Sequence, residues 1–201
     1  MNRHMQYLAT QAAAGKLSRR EFLGKAAALG FTAVSANLLL SSAAKAAGPQ
    51  KGGTIRLGLQ GGSTTDSLDP ALVTNQVGQL VTRMWGEPLV ELSDDGGLEG
   101  KVAESYEASA DAKTWTFKLR SGITFSNGKS VTAQDVVETM DRHSGEDTKS
   151  GALGIMRGIT NVRADGDNVV FELDSPNADL PYLLADYHLI IQPGGGKDDP
   201  A

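Results

Sequence analysis

Beyond position 46 the chain carries two histidines, His143 and His188, the side chains best suited to proton transfer or metal ligation near neutral pH. Neither stands near a second histidine or a carboxylate at metal-ligand spacing. His143 closes a predicted helix, where a cation suits the helix dipole, and His188 alternates within a predicted apolar strand; both read as structural. The chain contains no cysteine, which removes thiolate nucleophiles, thiolate metal clusters and disulfides. Gly61-Gly62 follows a predicted strand, the usual place of a phosphate loop, yet neither Gly-Lys-Ser/Thr nor a G-x-G-x-x-G run is present. There is no G-x-S-x-G elbow. Asp66 and Asp69 lie three apart on a loop, which does not fix two carboxylates in the geometry that paired acid–base work requires. Basic residues do not cluster with aromatics, so no nucleic-acid surface is expected. The chemistry-bearing residues therefore point to no enzyme, no cofactor and no metal.

The elements that would position these residues are mixed helix and strand. Thr54 to Leu59 alternates as a strand does and runs into the loop Gln60–Asp66, followed by Leu68-Asp69-Pro70. Val77, Leu80, Val81, Met84 and Trp85 recur at helical spacing over 75–85, with Trp85 on the core face, and Pro88 stops that helix. Leu89–Leu92 reads as a short strand before the Asp94–Gly97 turn. In Trp115–Arg120 the residues Trp115, Phe117 and Leu119 share one face, and Ile123–Phe125 is expected to begin a partner strand before an Asn127-Gly128 turn. Thr132 with Asp135 opens a helix that runs to about His143. Glu146–Gly151 is polar and expected to be mobile. Ile159–Ala164 and Val169–Leu173 form a hairpin about Asp165–Asn168. A short helix follows Pro176, with Leu183 and Leu184 buried, then a strand at Tyr187–Ile191. Gly194 to Ala201 reads as a loop that leads on to further chain, so a truncated protein is expected.

Residues 1–46 read as a leader. Ser18-Arg19-Arg20-Glu21-Phe22-Leu23 precedes an uncharged, alanine-rich run from Ala26 to Leu40, and Ala44-Lys45-Ala46 supplies an A-x-A cleavage pattern. Those 15 residues fall short of the roughly 20 that span a bilayer. The arginine pair before Phe-Leu is similar to a twin-arginine export signal, which implies the twin-arginine machinery as a partner, cleavage near Ala46 and a periplasmic destination. The leader holds six basic residues and one acid, which leaves 13 basic and 23 acidic residues after it. A body this acidic repels nucleic acid and anionic lipid and would tolerate a ligand with a free ammonium, set against solubility alone as the reason for the charge.

From Val102-Ala103-Glu104-Ser105-Tyr106, through Thr114-Trp115-Thr116-Phe117-Lys118-Leu119-Arg120-Ser121-Gly122-Ile123-Thr124-Phe125-Ser126-Asn127-Gly128-Lys129, to Thr132-Ala133-Gln134-Asp135-Val136-Val137, the chain closely resembles the signature region of the family 5 extracellular solute-binding proteins. These are the dipeptide, oligopeptide and nickel-binding components of ABC importers. Leu68-Asp69-Pro70-Ala71, Gly86-Glu87-Pro88-Leu89, Asn177-Ala178-Asp179 and Tyr187–Pro193 extend the resemblance over nearly all of 53–193, with Trp85 where many members carry tyrosine. It implies an α/β fold, the N-terminal part of a two-lobe periplasmic binding protein with an extra subdomain. The first lobe would begin at about 53–88 and return at 176–201, with the subdomain at about 89–175 and the second lobe absent. It further implies a periplasmic subunit that closes around a peptide and delivers it to an ABC permease in the inner membrane. A nickel chelate, an opine or haem are alternative ligands; an exported enzyme and a fragment without binding of its own are alternative readings. The ligand-binding residues it implies here are Gln60, Gly62, Ser63, Thr64 and Asp66, set against an ordinary surface loop, and the acid that usually holds the peptide amine would lie past Ala201.

Overall fold

The computed structural model describes residues 3–47 and 52–198, which fall into two units, within Met1–Leu57 and Gly58–Ala201. The expected flexible lead at Pro49–Gly53 and the end of the expected terminal loop, positions 199–201, lie partly or wholly outside the described residues.

The first unit is three helices, α1 (Arg3–Ala13), α2 (Arg19–Ala28) and α3 (Ala33–Ala47). Ser18 caps α2 reciprocally with Glu21: the Ser18 N–H donates to Glu21 Oε2 at 2.8 Å and the Glu21 N–H to Ser18 Oγ at 3.2 Å. Met5, Leu8, Phe22, Ala26 and Ala36 pack together as the unit's core. The uncharged run from Ala26 to Leu40 is divided between α2 and α3, and no helix among the described residues is long and apolar enough to cross a membrane.

The second unit is built on a four-stranded antiparallel sheet. Its strands are β3 (Ala103–Ala108), β4 (Thr114–Leu119), β5 (Ile159–Asp165) and β6 (Asn168–Leu173), in the order β3-β4-β6-β5. The alternation in β4 sends Trp115, Phe117 and Leu119 to the buried face, as expected. Across the ladder Trp115 faces Phe171 and Phe117 faces Val169. Phe117 meets Phe171 edge-on at 5.3 Å between centroids and stacks on Tyr106 at 5.6 Å, arrangements favoured by the ring quadrupoles. Helix α5 (Ala133–Ser144) closes this core with Val136 and Met140. It begins where Thr132 accepts from the Asp135 N–H and Asp135 accepts from the Thr132 N–H. A smaller pair, β1 (Val90–Leu92) and β2 (Leu98–Gly100), frames the Asp94–Gly97 turn.

Several expectations are corrected. Ile123–Phe125 does not pair with β4, because β3 and β6 already occupy both of its edges; residues 124–130 fold back on themselves through a Thr124–Ser130 bridge about Asn127-Gly128. Residues 54–59 form no strand, and Ile55 is 78% exposed. Alternation specifies a face, but a strand exists only where an edge satisfies its N–H and C=O groups, and this segment pairs with none among the described residues. Tyr187–Ile191 is a turn and an extended stretch, not a strand. Leu189, Ile190 and Ile191 are buried, and the Ile191 N–H donates to the Glu87 carbonyl at 3.0 Å. A Cβ at Gly86 would stand 2.1 Å from Ile190 Cγ2, so a glycine is required where these two segments cross.

Helix α4 (Gln76–Trp85) forms as expected, but its apolar side is only partly covered: Val77, Leu80 and Val81 are half-buried, Trp85 is 44% and Met84 72% exposed, and the residue it fully buries is Thr82. Leu183, in the short helix α7 (Leu180–Leu183) that follows α6 (Leu153–Met156), is exposed while Leu184 is buried. The terminal glycines are no free loop. Gly194, Gly195 and Gly196 all take positive φ, and a Cβ on Gly195 would lie 2.4 Å from the Glu138 carbonyl oxygen of α5, so the turn rests on that helix backbone to backbone.

Candidate ligand-binding site

The loop 60–66 lies exposed ahead of α4. It is folded by its own short polar residues: the Ser63 N–H donates to Asp66 Oδ2 at 2.8 Å, the Asp66 N–H to the Ser63 carbonyl at 3.2 Å, and the Ser63 and Thr65 hydroxyls meet at 2.9 Å. Gly61 and Gly62 take φ of 93° and 105°, which other residues rarely adopt. Asn75 caps α4 by accepting from the Gly78 N–H at 3.1 Å, and its Nδ2 donates to Asp66 Oδ1 at 2.7 Å. Between loop and helix lies a cavity of about 40 Å³ lined by Thr65, Asp66, Ser67, Leu72, Val73, Thr74, Asn75 and Gly78.

Of the five residues expected to bind ligand, Ser63 and Asp66 are brought together, and Asp66 alone lines the cavity. Both Asp66 oxygens are engaged within the chain, so this carboxylate braces the loop. Gln60, Gly62 and Thr64 are exposed. The N–H groups of Gly61, Gly62 and Thr64 donate to no protein acceptor among the described residues. The arrangement can offer main-chain donors and small hydroxyls to a polar ligand.

Behind the loop stands a buried polar cluster that local sequence patterns did not reveal. Asp69, capping the turn Pro70–Leu72, accepts from the Ala71 N–H at 3.0 Å and pairs with the Arg142 guanidinium. Arg142 also donates to Gln192 Oε1 at 2.9 Å. The Gly151 N–H donates to the Ala71 carbonyl at 3.0 Å. His188 Nε2 lies 2.9 Å from the Val73 carbonyl, and its Nδ1 lies 2.6 Å from Asp186 Oδ1. Segment 69–73 is thus fastened at every second residue. Glu146–Gly151 is correspondingly anchored, not loose: Thr148 donates to the Arg142 carbonyl at 3.0 Å, and Ser150 Oγ lies 2.6 Å from His143 Nδ1.

The two histidines differ electrically. Burial, reinforced by the neighbouring Arg142 charge, pushes the fully buried His143 from 6.5 down to about 4, so it is neutral at pH 7 and is not the dipole-stabilised cation expected at a helix end. Burial works against charge on His188 too, but the hydrogen bonds to Asp186 and the Val73 carbonyl outweigh it and lift the ring above its ordinary value. Burial would raise the Asp186 carboxyl; the hydrogen bonds from His188 overcome this and hold it low. Among the described residues no group of three potential ligands is placed to hold a metal ion.

A sequence profile of the bacterial extracellular solute-binding proteins, family 5 (middle part), matches residues 97–201. A glutathione-binding protein of Pectobacterium atrosepticum is 31% identical over 109 residues, 54% of this chain and 21% of its own. An oligopeptide-binding protein of Bacillus subtilis is 44% identical over 69 residues, 34% of this chain and 13% of its own. Among solved structures, the periplasmic binding protein AgaA of A. tumefaciens R10, in complex with agropinic acid, superposes with a TM-score of 0.63 at 29% identity, covering 67% of this chain and 28% of that one. The chain therefore spans between 13% and 28% of the length of these relatives.

Proposed function

The chain belongs to the bacterial extracellular solute-binding proteins of family 5, and we propose on that premise that it acts as the peptide-binding part of an ABC importer's substrate-binding subunit, handing its ligand to a permease in the inner membrane. The observation that carries the ligand class is that two relatives are named for glutathione and for oligopeptides, both chains of amide groups. The loop 60–66 suits such a ligand. Its exposed Gly61, Gly62 and Thr64 N–H groups and its Ser63 and Thr64 hydroxyls are the kind of partners that grip a peptide through its main chain, with Gln60 at one end of the grip and Asp66 bracing the loop at the other. The function is binding and release, not catalysis. An opine is the second reading, favoured by the agropinic acid complex.

In the same reading residues 1–46 are a twin-arginine leader cleaved near Ala46, and the mature chain works in the periplasm. Residues from about 53 to 88 and from 176 onward belong to one lobe, and about 89–175 to a subdomain beside it.

The test is an NMR titration of the ¹⁵N-labelled chain with trialanine and, separately, with an opine. Trialanine should shift the amides of Gly61, Gly62 and Thr64 with millimolar affinity, since one lobe supplies only part of a closed site. Loop resonances that stay fixed at saturating trialanine would sink the reading, and a response to the opine alone would transfer it to the second ligand class. The leader is tested separately by fusing residues 1–46 to a reporter: replacing Arg19 and Arg20 together by lysine should abolish its appearance in the periplasm, and unchanged export would refute the twin-arginine route.

A further inference from the structure

The geometry points to His188 as a positioning residue for loop 60–66: as an imidazolium it bridges Asp186 and the Val73 carbonyl, holds the segment whose Asn75 fastens the loop, and releases that loop when it loses its proton. The argument starts from the loop's attachment. Among the described residues, the hydrogen bond that ties residues 60–66 to the rest of the unit runs from Asn75 Nδ2 to Asp66 Oδ1. Asn75 stands two residues after Val73, whose carbonyl receives His188 Nε2 across 115 positions of sequence. The loop's placement therefore depends on where residues 73–75 are held.

The partners fix the proton count of the ring. A backbone carbonyl only accepts, so Nε2 must carry a hydrogen. Asp186, kept ionised by its contacts with His188, also only accepts, so Nδ1 must carry another. Both bonds exist together only in the imidazolium. On deprotonation Nδ1 keeps its hydrogen for the charged carboxylate, and the Nε2 lone pair then faces the Val73 oxygen. Attraction becomes repulsion at that atom. Gly151 makes room for the ring there: a Cβ at 151 would lie 2.3 Å from His188 Nε2.

The other charged groups around the ring are accounted for. Arg83 of α4 donates to the Ala185 carbonyl at 3.3 Å and its charge acts on Asp186. On α5, Arg142 is paired with Asp69, and His143, held near 4, is uncharged while His188 titrates. Since His188 is lifted above the ordinary histidine value, release of the loop belongs to a higher pH than that at which an ordinary histidine loses its proton.

The functional meaning of this device rests on the ligand-loop reading above, but its test needs no ligand. In the ¹⁵N-labelled full chain, the His188 ring nitrogens and the amides of Ser63, Asp66 and Asn75 are followed from pH 5.5 to 9.5. The loop amides should titrate with the same midpoint as the ring. His188→Gln, which keeps a donor near Val73 at every pH, should hold the loop resonances close to their low-pH positions, and His188→Phe should hold them at the high-pH positions. Loop amides that do not follow the ring overturn the proposal even in the unmodified chain, where the folding of a variant is not in question. A fixed loop that nonetheless binds trialanine would refute the device and leave the ligand reading intact; a titrating loop that binds nothing would do the reverse.

Discussion

Arg142→Ala lowers the free energy of unfolding by about 3 kcal/mol, measured by urea denaturation at pH 7. The side chains of Arg142 and Asp69 are 18% and 12% exposed, so removing the guanidinium leaves a carboxylate largely out of water with no cation beside it. That residual burial, more than the lost attraction, sets the cost, and the partial exposure places it at the low end of the range for buried pairs. The same cut frees α5 from the turn Pro70–Leu72, so one substitution loosens elements 73 residues apart. Asp69→Ala alone leaves the opposite charge unpaired and also removes the cap on the Ala71 N–H. The double variant should therefore be less damaged than the two single losses added together, with a coupling of roughly 1–3 kcal/mol. An Arg142→Ala chain within about 0.5 kcal/mol of the parent, a change typical of an exposed surface site, would show that the pair is incidental.

Acid should destabilise the protein through His143 before its carboxylates are fully protonated. The unfolded ring takes up a proton near 6.5, the folded one only near 4. Between these values the unfolded state binds more protons, so stability falls as pH falls. The contribution is complete above pH 6.5 and gone below 4, a loss on the order of 3 kcal/mol for this fully buried ring. His143 Nε2 has no hydrogen-bond partner, so a proton placed there would have nothing to bond. His188 acts with the opposite sign: its raised value makes its contribution full below 6.5 and lost as pH rises through the folded pKa. Unfolding free energies from pH 4 to 7 for the parent and His143→Leu should differ in slope, with the variant flatter. Parallel slopes would remove His143 from the account.

Much of this fold is written in local pattern, and the exceptions have a common cause. The alternation of Trp115, Phe117 and Leu119, the Thr132–Asp135 cap and the hairpin turn at Gly166 specify their elements through contacts a few residues apart, and each forms as read. Thr54–Leu59 and Tyr187–Ile191 carry the same kind of alternation, but pairing depends on a distant edge that a local window does not contain. Helical spacing predicts Trp85 in a core, but spacing defines an apolar face without saying what covers it. At the site, the loop was legible from its glycines and hydroxyls. The brace behind it was not, because Asp69 with Arg142 and Val73 with His188 meet only after the chain has folded. The one local sign is the Asp-x-His spacing of Asp186 and His188, and a strand at that spacing would set both side chains on one face without bringing either to Val73.

Among the described residues the sheet ends on β3 and β5, and the rims of such sheets are where proteins recruit one another into fibres. Here the rims bear Glu104 and Glu107 on one side and Arg163 and Asp165 on the other, all exposed. A neighbouring molecule seeking to extend the ladder would have to strip water from these ions. In a crowded compartment that barrier favours separate, diffusing molecules over polymerised ones.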